Sequence, residues 1–399
     1  MSRSPRISRR TFLGASGTAL AAVSLAATGT ANAATPSSLN PARRPTPEQP
    51  FGPVTVYAPP AGGTLYARAV RLTHQRGGHA PASRPATLLA TFSQFGSGPM
   101  PAFPIFRSDD GGHTWYQQSS VRDTVNGWGL PAQPFLYELP RPFAGLPRGT
   151  ILCAGNSIPP DRSQTKIDLY ASTDRGLSWQ FLSSVCRGGA ANPTNGQTPV
   201  WEPFLLLHHN RLICYYSDQR DPKYGQKLAH QTSTDLVHWG PVVNDAVGTT
   251  YDQRPGMTTV AQLPRGKWIM TYELGNNPDG RDYAVHYRIA DDPESFDSAP
   301  AILLHDQDGY IPAAGPTVSW SPSGGRYGTI IVSPTDDQDL FVNRAMGDPY
   351  AWTRSPSVVP GGYTRHTIPL ENGLVFVITG GSFGNISTNT VQCGVDRLR

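Results

Sequence analysis

A short motif recurs three times at a spacing of about 60 residues, and that period constrains the fold more than any other property of the chain. Ser108-Asp109-Asp110-Gly111-Gly112-His113-Thr114-Trp115, Ser172-Thr173-Asp174-Arg175-Gly176-Leu177-Ser178-Trp179 and Ser233-Thr234-Asp235-Leu236-Val237-His238-Trp239 share S-x-D and a downstream Trp. The first two carry the full S-x-D-x-G-x-[ST]-W pattern of an Asp-box; the third is one residue shorter and lacks the Gly. The pattern has the chemistry of a hairpin turn. The Asp carboxylate accepts backbone N–H groups, the Gly permits positive φ, and the Trp folds back over an apolar layer. Too few acids stand near Asp110 or Asp174 for a calcium loop, so the role is structural. A period near 60 is what four short antiparallel strands require, and each repeat reads as one blade of a radial ring.

A second recurring unit precedes these turns: a polar residue opening an apolar strand, a Gly/Pro/Asn turn, then a returning strand. It fits at 68–72 returning through 87–89, 133–136 through 150–152, 202–205 through 212–214, 254–257 through 268–270, 315–318 through 329–331, and 365–368 through 374–376. Six units predict an all-β, six-bladed β-propeller. Its later outer turns are degenerate, at 291–296 and 347–352. The sixth unit lacks outer strands of its own before Arg399, and Val54-Thr55-Val56-Tyr57 is expected to complete it and close the ring.

The composition agrees: 41 Gly, 39 Pro, 16 Tyr and 8 Trp with 16% charged residues suit short strands joined by tight turns. Residues 1–33 read differently. A basic start runs into the small and apolar stretch 14–27 and then Ala31-Asn32-Ala33, the pattern of a cleaved export signal. Ser8-Arg9-Arg10-Thr11-Phe12-Leu13 adds a twin-arginine signature, implying export of a folded, secreted protein with no membrane attachment after cleavage. A Pro/Ser-rich linker follows over 34–50, and the propeller is expected over 51–399. The signal holds four arginines and no acids, so the mature chain carries 29 basic and 29 acidic residues. That neutrality argues against nucleic acid or another polyanion as partner. Cys153, Cys186, Cys214 and Cys393 leave one disulfide or free buried thiols equally open.

In such a ring, the start of each inner strand and the end of its return face the same rim of the central channel. Those positions collect Arg68 or Arg71, Gln133, Glu202, Arg254 and Arg365 from the starts, with Asp218 and Glu273 from the returns. Glu202, in Val200-Trp201-Glu202-Pro203-Phe204, and Glu273, in Met270-Thr271-Tyr272-Glu273-Leu274, sit inside apolar sequence where an unpaired carboxylate is costly. Two carboxyl groups from adjacent blades, flanked by arginines and aromatics, are what glycoside hydrolysis uses. The chain has no H-E-x-x-H and no P-loop, and its ten histidines are scattered, so no metal or other cofactor is expected.

The Asp-boxes and blade count resemble the sialidase superfamily. The stretches Tyr215-Tyr216-Ser217-Asp218-Gln219-Arg220-Asp221, His230-Gln231-Thr232-Ser233-Thr234-Asp235-Leu236 and Arg254-Pro255-Gly256-Met257 through Tyr272-Glu273 resemble glycoside hydrolase family 93. The resemblance implies an exo-acting, retaining enzyme that releases arabinobiose from the non-reducing end of α-1,5-linked L-arabinan. It places the catalytic glutamates on Glu202, as acid/base, and Glu273, as nucleophile. By analogy Arg71, Gln133, Asp218, Arg254, Tyr363 and Arg365 would hold sugar hydroxyls, with an oligo- or polysaccharide as partner and a monomeric chain. A sialidase is the rival, with Arg71, Arg254 and Arg365 as a carboxylate-binding cluster and Tyr363 as nucleophile. Against it, the first inner strand reads Tyr66-Ala67-Arg68-Ala69-Val70-Arg71-Leu72 where sialidases show F-R-I-P. A non-catalytic carbohydrate-binding propeller is the third alternative.

Overall fold

The computed structural model describes residues 49–399 other than 76–85, 97, 99 and 279. The signal at 1–33 and the linker up to residue 48 lie outside the described residues.

Six four-stranded antiparallel sheets follow one another along the chain, as a six-bladed β-propeller. The inner strands are Gly63–Arg71, Ala132–Glu138, Val200–His208, Arg254–Gln262, Thr317–Ser321 and His366–Pro369. The sixth blade departs from expectation in one respect. It owns three strands, the third being Val391–Arg397, and takes only its outermost strand, Phe51–Tyr57, from the N-terminal side. Val54 pairs with Cys393 and Phe51 with Val395, so backbone hydrogen bonds join the two ends of the ring.

The blades are nearly uniformly apolar because each is covered on both faces. Six separate buried clusters fill the six gaps between neighbours. Leu152, Ile167 and Leu169 meet Leu205, Leu212 and Tyr216 between the second and third blades; Ile331 and Val342 meet Val375 and Val377 between the fifth and sixth. Gly155 has no side chain because a Cβ there would stand 2.2 Å from the Phe103 ring of the preceding blade. All four cysteines are buried free thiols.

The Ser-x-Asp turns link the third and fourth strands of the first three blades. In the first, Asp110 accepts the Thr114 N–H at 2.9 Å and Ser108 Oγ accepts the Gly112 N–H at 2.8 Å, with Gly112 at φ 107°. The tryptophans tie blades together: Trp179 Nε1 donates to Ser119 Oγ of the first blade, and Trp239 Nε1 to Ser183 Oγ of the second. These turns lie at the outer hairpins and contribute no group to the channel.

What positions the channel residues is a repeated irregularity. The pairing of the first four inner strands with their returns slips between Leu65 and Arg68, Ala132 and Phe135, Trp201 and Phe204, and Gly256 and Thr259. Inside each slip one residue adopts left-handed φ: Tyr66 (53°), Gln133 (63°), Glu202 (64°) and Met257 (64°). A bulge of this kind re-aims side chains out of the alternating pattern of the strand. Non-glycine residues held there cost on the order of 1–3 kcal/mol each and cluster at functional sites. Ala314 and Gly315, and Thr364, take positive φ at the equivalent entries to blades five and six.

Candidate active site

Glu202 is turned onto the channel by its bulge and is gripped from three blades. Its Oε2 accepts the Ser217 hydroxyl at 2.8 Å and the Met257 N–H at 3.3 Å, and its Oε1 accepts Gln133 Nε2 at 3.3 Å. The backbone is held too, since Glu202 N–H donates to Gln133 Oε1 and to Asn156 Oδ1. Burial raises the carboxyl above its ordinary range; Ser217, the Met257 N–H and the charges of Arg254 and Arg68 pull against that rise. The three donors favour the ionised form and offset part of what burial costs it.

Glu273 is 6% exposed, at the end of the return strand Trp268–Gly275. Its Oε2 accepts the Gly315 N–H at 2.5 Å, and its Oε1 stands 3.5 Å from the Tyr363 hydroxyl. Burial, then repulsion from Glu202, push its carboxyl up to about 8, so it carries a proton at neutral pH. Gly256 and Met257 lie between the two acids. A Cβ on Gly256 would stand 3.6 Å from Glu273 Oε1, while the next residue's N–H serves Glu202.

Aromatic and cationic groups close the site. The Tyr66 and Tyr363 rings meet edge-on at 5.3 Å, Tyr66 accepts Gln133 Nε2 at 3.2 Å, and exposed Phe383 packs at 4.4 Å against Tyr363. Burial and Glu273 drive the Tyr363 phenol well above its ordinary range, so it acts as an O–H donor. Arg254 is held by neutral acceptors, Asn195, Gln219 (3.3 Å) and Gln226 (2.7 Å). Gln219 in turn donates to the carbonyls of Pro193 and Thr194, so the same cluster fastens the 190–198 loop to the rim.

Of the residues read from the sequence, Glu202, Glu273, Gln133, Arg254 and Tyr363 come together here; Arg71, Asp218 and Arg365 do not. Arg71 ends its strand at the opposite side of the sheet, cross-strand from Leu88, and pairs with exposed Glu371 at 3.1 Å. Asp218 faces away from Glu202 and binds the Arg220 guanidinium at 2.8 and 2.9 Å; its neighbour Ser217 takes the channel side. Arg365 is fully buried, donating to Ser333 Oγ and to the carbonyls of Gln338, Val359 and Asp339. The cluster of Arg71, Arg254 and Arg365 that the sialidase alternative requires is therefore not assembled. Tyr66, Ser217 and the N–H groups of Met257 and Gly315 are the site positions that the rim rule leaves out. Of the two arginines that the rule offers for the first blade, Arg68 is the one at the channel. Gly380-Gly381-Ser382-Phe383-Gly384 spells G-x-S-x-G, but Ser382 lies in relaxed extended backbone (φ −122°, ψ 159°) rather than on a strained elbow.

A carboxyl group supplied with three donors beside a second one that burial keeps protonated, at the axis of a propeller, is the arrangement of a glycoside hydrolase. Solved structures show which one. The family 93 α-L-arabinofuranosidase of Fusarium graminearum, in complex with arabinobiose, is 43% identical over 87% of this chain and 98% of that chain, with a TM-score of 0.81. An α-L-arabinanase of Penicillium chrysogenum, also complexed with arabinobiose, is 42% identical over 88% of this chain and 99% of that chain, at 0.82. This chain belongs to glycoside hydrolase family 93. A sialidase of Streptococcus pneumoniae shares the fold alone, at 11% identity over 88% of this chain and 70% of that one, with a TM-score of 0.54. No family model matches the sequence, and no curated protein matches it.

Proposed function

We propose that the chain is an exported, exo-acting and retaining glycosidase that cleaves α-1,5-linked L-arabinan and releases arabinobiose from the non-reducing end. The observation that carries the chemistry is the unequal setting of two buried carboxyl groups in one site, Glu202 with three donors and Glu273 pushed up to about 8. The substrate rests on the two relatives holding arabinobiose, and export on the twin-arginine pattern at residues 8–13.

The hydrogen bonding favours a division of labour opposite to the one that the resemblance implies. Glu202, with three donors, is the nucleophile; Glu273, protonated by burial, is the acid/base. Glu273 gives its proton to the departing glycosidic oxygen while a Glu202 oxygen attacks the anomeric carbon, forming a glycosyl ester. That bond consumes the Glu202 charge, and with it the repulsion that helps hold the Glu273 proton. Glu273, now ionised and less basic, takes a proton from the water that opens the ester, and the second inversion restores the starting configuration.

Linear arabinan, arabinoxylan and sialyl-lactose offered side by side test this reading. The expected outcome is disaccharide from arabinan only, with NMR showing the retained anomer first. Monosaccharide from another polymer, or inversion, refutes it. Glu202→Gln and Glu273→Gln should each lower kcat by about a thousandfold or more. Glu273→Ala should still turn over an aryl arabinoside with a good leaving group and give, with azide, the arabinosyl azide of retained configuration, whereas any azide product of Glu202→Ala should be inverted.

A further inference from the structure

We propose that Arg68 is a positioning residue for Glu202, acting through a single solvent molecule seated in a buried cavity between the Arg68 guanidinium, the Thr258 hydroxyl and the Glu202 carboxylate. The inference rests on the reading of Glu202 as the group that must be ionised.

Arg68 lies two residues beyond the Tyr66 bulge and is 8% exposed. Its Nη1 donates to the Thr364 carbonyl at 2.6 Å, and among the described residues no carboxylate forms an ion pair with it. A buried guanidinium without a direct counterion costs several kcal/mol and calls for a reason. Burial draws it down to about 10; the carboxylate that favours its charge is Glu202.

The link between them is a cavity with about 10 Å³ open to the centre of a water-sized molecule, lined by Tyr66, Arg68, Gln133, Glu202, Met257 and Thr258 among others. That is room for about one water, which needs two to four polar partners. Arg68 offers donors, Glu202 an acceptor and Thr258 a hydroxyl. Thr258 is itself 4% exposed, and its Oγ1 has no hydrogen-bond partner among the described residues. A chain of hydrogen bonds running from cation to carboxylate is mutually polarising and stabilises the anionic end.

The other charged or titratable groups facing this centre are Tyr66, Tyr363, His366, Glu273 and Arg254. Burial holds both phenols well above their ordinary range. His366 Nδ1 accepts the Ala69 N–H at 3.3 Å, and burial with the Arg68 charge lowers the ring to about 3, so it stays neutral. Glu273 alone titrates near Glu202, on the alkaline side.

The test compares Arg68→Gln, Arg68→Lys, Thr258→Val and the Arg68→Gln/Thr258→Val pair in two measurements. One is the pH dependence of kcat and KM on arabinan. The other is an infrared titration of the buried carboxyl groups, with the Glu202 band assigned by its loss in Glu202→Gln. Arg68→Gln should move the acidic limb and the Glu202 titration up by about one pH unit, a roughly tenfold loss of kcat/KM below the limb with KM unchanged. Arg68→Lys should restore most of it. Thr258→Val should shift both in the same direction by less and add nothing to Arg68→Gln. A uniform fall in kcat at every pH, with neither limb nor titration displaced, reduces Arg68 to a structural residue. Full additivity of the two shifts overturns the solvent link. If Arg68→Gln fails to fold, Thr258→Val and Arg68→Lys decide between the same outcomes. If the wild type leaves arabinan intact, the functional reading fails while the infrared titration still judges this one.

Discussion

Glu273 should destabilise the protein it serves, by an amount that depends on pH. Its carboxyl is raised from 4.5 to about 8, so between those values the folded state holds a proton that the unfolded chain has released. Stability contributed by this group is complete below pH 4.5 and is lost as pH rises toward 8. A shift of about 3.5 units corresponds to roughly 5 kcal/mol when fully expressed, and about 4 kcal/mol of it develops between pH 5 and pH 9. Glu273→Gln removes the titration while keeping an acceptor for the Gly315 N–H. The variant should therefore gain on the wild type as pH rises. For about 350 folded residues the unfolding entropy is roughly 0.7 kcal/mol per kelvin, so the gap in Tm should widen by about 5 °C from pH 5 to pH 9. Calorimetric scans of both proteins at the two pH values measure it. A gap that is constant or shrinks with pH would refute the claim that burial keeps Glu273 protonated.

Arg365→Met should cost about 3–5 kcal/mol, because it strands buried carbonyls of Gln338, Val359 and Asp339, yet leave kcat/KM of the folded fraction unchanged. Arg71→Ala, removing a pair to exposed Glu371, should alter unfolding by less than about 1 kcal/mol with no kinetic effect; loss of activity in either variant would return that arginine to the site. Tyr363→Phe should keep substantial activity and move the alkaline limb of kcat/KM up by about half a unit, since its hydroxyl favours ionised Glu273. Complete inactivation would instead revive Tyr363 as a nucleophile.

The ring is legible in the amino-acid sequence alone. The period near 60, the turn chemistry of Ser108–Trp115 and its two copies, and six strand-and-return units are local signals, carried by residues that act on their immediate neighbours. The same regularity singled out Glu202 and Glu273, because acids inside apolar strand ends are rare and costly wherever the strands go. Which face each rim residue shows depends instead on how the strands pair and the blades pack. A strand's side chains alternate with period two, and one inserted residue reverses every assignment beyond it. Nothing in the letters around Trp201-Glu202-Pro203 marks the bulge, so Ser217 rather than Asp218 reaches Glu202, and Arg68 rather than Arg71 reaches the channel. The roles of the two acids were equally out of reach. They depend on three donors supplied to Glu202, one from its own return strand and two from the neighbouring blades, and on the desolvation of Glu273 against Gly315, contacts between residues 15 to 69 positions apart.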